Sequence, residues 1–168
     1  MSLFNVLQSI ATQPAKEDYK FLYKQQPIGH TPAPLVPHFS DSRLFQVDQV
    51  EKTIRFTDEA MSAEERTNQL RHLTSDWRSQ QVHFALSKWR NEEYAVRDHD
   101  DQLVCFIERT ACGLFGFAQF GCHLNAFVVD RGELKVWVAK RSATKQTYPG
   151  MLDNTAAGRI SHLVKVDY

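Results

Sequence analysis

The sequence predicts an α+β fold, and three observations carry that prediction. One segment places apolar residues at helical spacing behind a strong capping signal. Several short segments alternate apolar and polar residues, with turn residues between them. Between these two kinds of pattern, Pro27, Pro32, Pro34 and Pro37 keep a long helix out of the first quarter of the chain. The 168 residues suffice for one good-sized domain or two small ones, with a core large enough to need no staple.

Along the chain, Leu3, Val6, Leu7 and Ile10 stand at i, i+3, i+4 and i+7 behind Ser2, which predicts a short helix over residues 3–12. Pro14 ends it. An edge strand is expected around Phe21–Ile28, followed by irregular chain through the prolines. Leu44–Asp48 and Thr53–Thr57 read as two short strands joined by a turn. Ser62-Ala63-Glu64-Glu65 has the form of a capping box, and Leu70, Leu73 and Trp77 then line one helical face to about residue 78. Glu93–Arg97 and Leu103–Ile107 read as strands around a polar turn, Asp98-His99-Asp100-Asp101. Thr110–Phe117 suits a short buried helix, although Gly113 and Gly116 weaken it. Leu124–Val129 and Leu134–Ala139 form a β-hairpin about Asp130-Arg131-Gly132, with one apolar face. A basic loop, Lys140 to Thr147, follows it.

Composition narrows the function. Hydrophobic residues at 42% and charged residues at 24% are ordinary for a soluble globular protein. Twenty basic side chains balance twenty acidic ones, so no bulk field draws the chain to nucleic acid or to an anionic membrane. Neither a basic leader nor a membrane-length apolar run is present. The expectation is a cytoplasmic protein without a nucleic-acid or membrane partner. Cys105, Cys112 and Cys122 read as free buried thiols in a reducing compartment, and Cys122 beside His123 lacks the spacing of a metal site.

Glu92 and Glu93 are neighbours on a strand and point to opposite faces, so they make no joint acid/base pair. Arg90 with Glu92, or Glu108 with Arg109, is the expected structural ion pair.

The stretch Gly121–Gly158 carries a resemblance. Its hairpin leads into Lys140-Arg141-Ser142-Ala143-Thr144-Lys145, then Tyr148-Pro149-Gly150-Met151-Leu152-Asp153-Asn154 and an Ala-Gly strand. It resembles the opening of the Nudix domain in the thiamine-pyrophosphokinase-related group of Nudix hydrolases. Ser87–Val96, Ile107–Ala111 and Leu114–Gly116 are similar to the domain that precedes the Nudix domain in that group. The resemblance implies residues 1–120 as that preceding domain, 121–158 as the start of an incomplete Nudix-type mixed sheet, and 159–168 as an unrelated tail.

The resemblance further implies Mg²⁺-dependent hydrolysis of a small-molecule diphosphate, here thiamine diphosphate or its oxidised forms. Such chemistry needs Mg²⁺ to neutralise charge on the transferring phosphorus, and the ion demands several carboxylates at fixed geometry. The family supplies them through a glutamate-rich loop-helix-loop after the Ala-Gly-Gly strand. Here Arg159 replaces the second glycine, and Asp167 is the only carboxylate beyond it. No catalytic or metal-binding residue is therefore assigned, and this chain is expected to lack Nudix catalysis as a shortened product. Whether it is an enzyme at all stays open at this level.

Lys140, Arg141 and Lys145 could bind phosphate oxygens or form a solvated basic loop. Tyr148 and Trp137 could stack on a heteroaromatic ring or pack, and Asp153 and Asn154 could contact substrate or brace a turn. Lys140, Arg141, Lys145, Tyr148, Asp153 and Asn154 form the candidate substrate-binding set. A non-catalytic binding module is the alternative function, and a thiamine diphosphokinase-related one the third.

Overall fold

The computed structural model describes residues 15–145 and 148–159. The helix expected over residues 3–12 and nearly all of the tail expected over 159–168 lie outside them. The chain divides into two compact units, Met1–Ala118 and Gln119–Tyr168. The architecture is α+β.

In the first unit, β1 (Tyr19–Tyr23), β2 (Gln26–Thr31), β3 (Phe45–Asp48) and β4 (Thr53–Phe56) form one sheet in the order β2-β1-β4-β3. β1 pairs antiparallel with β2 and parallel with β4, and β3 pairs antiparallel with β4. The expected edge strand is thus a hairpin whose first strand is central. Pro27 is confined to β2, an edge strand, where a missing N–H costs no ladder bond. Nor is the following segment wholly irregular. Ala33–Leu35 makes a 3-10 turn, and α1 (Val36–Ser40) follows with Pro37 in its first turn, where its missing N–H is harmless.

The burial of β1 alternates: Tyr19, Phe21 and Tyr23 are buried and Lys20 is exposed. Phe21 then sits among Phe39, Phe45, Phe56, Phe115 and Phe117, with ring centroids 5.1–6.4 Å away. Such edge-to-face packing adds about 1 kcal/mol per pair to the burial itself. This aromatic cluster is the centre of the core.

α2 (Ala63–Ser79) begins as the spacing predicts. Ser62 Oγ accepts from the Glu65 N–H at 3.2 Å, and Glu65 accepts from the Ser62 N–H at 2.7 Å. Leu70 and Trp77 are buried, as expected, and Leu73 is half-buried. The helix docks, however, through polar residues. Arg66 Nε donates to the Val104 carbonyl at 2.7 Å, and Thr67 Oγ1 accepts from the Phe106 N–H at 2.8 Å. Both acceptor strand and donor strand are β6 (Leu103–Glu108), which pairs antiparallel with β5 (Glu93–Arg97).

The ion pairs differ from those expected. Arg109 meets Glu92 at 2.6 Å, and Arg71 of α2 grips both oxygens of Glu93 at 2.6 and 2.7 Å. Glu108 is buried and serves as a backbone acceptor instead, taking the N–H groups of Arg90, Glu92 and Thr110. Asp98 turns the β5–β6 hairpin by accepting from the N–H groups of Asp100 and Gln102. α3 (Cys112–Phe115) ends at Gly116 in the left-handed region.

The second unit contains β7 (Gly121–Leu124), β8 (Phe127–Asp130), β9 (Glu133–Val136), β10 (Ala139–Lys140), β11 (Leu152–Asp153) and β12 (Ala156–Arg159). They pair antiparallel as β7–β12, β8–β9 and β10–β11. The strand expected over Leu124–Val129 breaks at Asn125-Ala126, because the chain changes partner there. The Thr155 hydroxyl accepts from the Ala126 N–H, and the Ala126 carbonyl accepts from Trp137. The hairpin turn is Arg131-Gly132, both at positive φ, which matches the twist of a two-residue hairpin.

Cys105 and Cys112 are free and buried, as expected, but Cys122 is exposed on β7, a strand whose residues all face solvent. Burial pushes the Cys105 thiol far above its ordinary range, against the opposing charge of Arg66.

Candidate functional site

The basic loop of the second unit is built on the β10–β11 pair. Ala139 faces Asp153 and Lys140 faces Leu152, and the Arg141 N–H donates to the Met151 carbonyl at 2.9 Å to extend the ladder. Ser142 then turns the chain: its hydroxyl accepts from the Thr144 N–H and its carbonyl from that of Lys145. Tyr148 and Gly150 return it at positive φ.

Arg141 ties the two sides of this loop together. Its Nε donates to the Tyr148 carbonyl at 3.0 Å, and its terminal nitrogen meets Asp153 Oδ2 at 2.5 Å. Asp153 Oδ1 accepts from the Asn154 N–H at 2.9 Å. The Arg141 guanidinium, then that backbone bond, hold the Asp153 carboxyl below its usual range. Asn154 carries the connection onward, to His123 Nδ1 at 2.9 Å and to Asn125 Oδ1 at 2.8 Å. Sequence reasoning missed His123 and Asn125, since both lie about thirty residues from Asn154 and only the fold joins them.

Of the six expected residues, Arg141, Asp153 and Asn154 converge in one hydrogen-bonded brace. Tyr148 joins it through its carbonyl alone, while its ring is exposed. Lys140 and Lys145 are exposed on either side of the brace. The arrangement presents two ammonium groups and an aromatic ring on a loop whose shape the arginine–aspartate pair maintains. Trp137 is also exposed.

Among the described residues, no group of three or more His, Cys, Asp or Glu side chains could hold a metal ion. Asp153 has Arg141 as its partner instead of another carboxylate. The described donor set therefore does not fit Mg²⁺.

The first unit has a cleft that no local pattern announces, because its walls come from three separated segments. It measures about 450 Å³, with Leu44, Met61 and Leu73 half-buried in it and Arg43, His72 and Asp76 at its mouth. An apolar floor under a rim of mixed charge suits a small amphipathic ligand.

With this geometry in place, residues 2–119 match the family model described as a domain of unknown function, DUF4743. The chain belongs to that family. The DUF4743 match covers the first unit, including the aromatic core, α2 and the cleft beside it. Among similar proteins, an uncharacterized protein of Saccharomyces cerevisiae, YJR142W, is 36% identical over 120 residues, 70% of this chain and 34% of that protein. Nudix hydrolase 20, chloroplastic, of Arabidopsis thaliana is 43% identical over 74 residues, 44% of this chain and 20% of that protein. Nudix hydrolase 24, chloroplastic, of the same plant is 40% identical over 78 residues, 46% of this chain and 21% of that protein. The chain thus spans between 20% and 34% of the length of these relatives. The partial identity to two proteins named Nudix hydrolases supports a Nudix-related link for this DUF4743 chain. No described helix is long and apolar enough to cross a membrane.

Proposed function

We propose that this chain pairs the domain that precedes the Nudix domain, residues 1–120, with the opening of a Nudix sheet, residues 121–158. On this reading it descends from a Mg²⁺-dependent hydrolase of thiamine diphosphate or its oxidised forms. The observation that carries the reading is the Arg141–Asp153 brace, which supports the Lys140 and Lys145 loop on the segment that resembles the Nudix domain. Lys140, Lys145 and Tyr148 are its substrate-contacting arms, and Arg141, Asp153 and Asn154 hold the loop in shape. The partial identity to two proteins named Nudix hydrolases supports the same descent.

Hydrolysis itself requires a carboxylate cluster, which the described residues do not contain, so on this reading the chain binds diphosphate without turning it over. Its partner is a small-molecule diphosphate, not nucleic acid or membrane, and its proposed location is the cytoplasm. Two of its relatives are named as chloroplastic, which makes localisation a separate test.

Thiamine diphosphate titrated into the 168-residue chain, with and without Mg²⁺, tests the reading. Binding without phosphate release is expected. Replacing both Lys140 and Lys145 with Ala should weaken binding by about tenfold or more, as loss of two charge-assisted contacts requires. Turnover by the unmodified chain, or binding indifferent to both lysines, would sink it.

A further inference from the structure

A second cleft lies on the first unit, beyond the C-terminus of α2. Residues Phe84–Lys88 form a 3-10 turn that begins at His83. Leu86 of that turn is fully buried and anchors it, whereas Phe84 is 73% exposed. The cleft beside them measures about 460 Å³ and is lined by Arg78, Gln81, His83, Phe84 and Ser87. None of these is acidic.

The side chains around Phe84 are nearly all donors. His83 Nδ1 accepts the Ala85 N–H at 3.2 Å, which leaves the ring proton on Nε2 and makes that nitrogen a donor. The His83 ring lies 4.6 Å from that of Phe84. Lys88 Nζ stands 5.8 Å from the Phe84 centroid, and the Arg78 guanidinium carbon 5.0 Å from that of Trp89. The Trp89 indole N–H donates to Asn91, which fixes the ring under Arg78.

A single exposed phenylalanine needs no explanation on its own. Here it stands in a cleft of ligand size, amid an arginine, a lysine and a histidine, on a chain of zero net charge. Cations held over aromatic rings are oriented before any ligand arrives, which lowers the entropy lost on binding. The pairing of an open ring with a carboxylate-free set of donors defines a complementary ligand: an aromatic ring joined to an anion. Phosphate suits it better than carboxylate, because its extra oxygens can meet donors from more than one side.

We propose that this cleft binds a small aromatic phosphate, its ring stacked on Phe84 and its phosphate held by Arg78, His83 and Lys88. The proposal is independent of the loop in the second unit and stands whether or not that loop binds diphosphate.

The test dissects the ligand. Phenyl phosphate, inorganic phosphate and phenol are titrated separately into the whole chain, with amide shifts of residues 83–88 as the readout. Phenyl phosphate should bind roughly tenfold or more tightly than either fragment, as stacking and charge act together. Phe84→Ala should remove that advantage, and Arg78→Gln should weaken phenyl phosphate and inorganic phosphate alike. Phe84 is exposed, so its replacement leaves the fold intact; Val50→Ala, at another exposed apolar residue, should change nothing. Phenyl phosphate that binds no better than phosphate overturns the proposal, as does binding that survives both substitutions. A single-stranded oligothymidylate that shifts these amides where phenyl phosphate does not overturns the small-ligand reading.

Discussion

Gly116 and His30 meet backbone to backbone, so closely that a Cβ on Gly116 would overlap the carbonyl oxygen and amide nitrogen of His30. Gly116 also sits at φ 65°, in the left-handed region. The contact seats the end of α3 against β2, and Thr31 strengthens it with a hydroxyl bond to the Phe115 carbonyl. Gly116→Ala should therefore cost about 3 kcal/mol or more, from backbone overlap added to left-handed strain. Gly113→Ala, where nothing lies within 4 Å, should be neutral or stabilise by about 0.5 kcal/mol. Urea unfolding of the two variants checks the contrast; equal midpoints would contradict it.

Arg66 is a buried cation whose partners are neutral. It donates to the carbonyls of Val104 and Met61 and to the Tyr23 hydroxyl, and it lies 4.9 Å from the Tyr23 ring centroid. Arg66→Met removes the donor and leaves these acceptors buried without it, for an expected loss of about 3 kcal/mol. Arg66→Lys should recover little, since one ammonium cannot reproduce the planar fork. A lysine variant as stable as the parent in thermal unfolding would refute this account of the helix–hairpin junction.

The capping box makes stability depend on acid. The Ser62 backbone N–H, then its hydroxyl, lower the Glu65 carboxyl below the ordinary glutamate value. A folded-state value below the unfolded one means that the contribution is complete above the unfolded value. It is lost as pH falls through the lowered one. Ser62→Ala should lower stability at neutral pH by about 1 kcal/mol. Glu65→Gln, which removes the titrating carboxylate, should be less stable than the parent at neutral pH and converge with it in acid, measured as melting temperature against pH. Ser62→Ala should keep most of its deficit in acid, because the amide that Ser62 Oγ caps does not titrate.

The β8–β9 hairpin leaves its apolar face open. Register places Phe127 opposite Val136 and Val129 opposite Leu134, all on one face and between 50% and 67% exposed. The other face carries the Lys135–Asp130 ion pair. A contiguous patch of this kind binds hydrophobic dyes and promotes association. Val129→Thr combined with Leu134→Thr should lower dye fluorescence and raise solubility without altering the first unit's melting. Unchanged dye binding would point to another surface.

Local physics made part of this molecule legible. The Ser62–Glu65 box, the spacing of Leu70 and Trp77, the Asp98 turn and the alternation of β5, β6, β8 and β9 all depend on residues a few positions apart. Arg141, Asp153 and Asn154 could be named as candidates only through the resemblance of their stretch to the opening of a Nudix domain. Their mutual brace could not be read, because a guanidinium has several acidic neighbours in sequence and only the β10–β11 register selects one.

What the sequence determined by itself was the α+β class, the position of the long helix and the composition of the loops. Propensity, capping and periodicity act over a single turn or strand, and those forces are written in adjacent residues. The tertiary structure alone decided that β1 lies at the centre of its sheet, paired parallel with β4 some thirty residues later. It also decided that Arg66 and Thr67 dock α2, that Glu92 pairs with Arg109, and that Phe84 stands open beside Arg78. Each of these depends on which distant groups exclude water together, and that is settled only when the chain closes on itself.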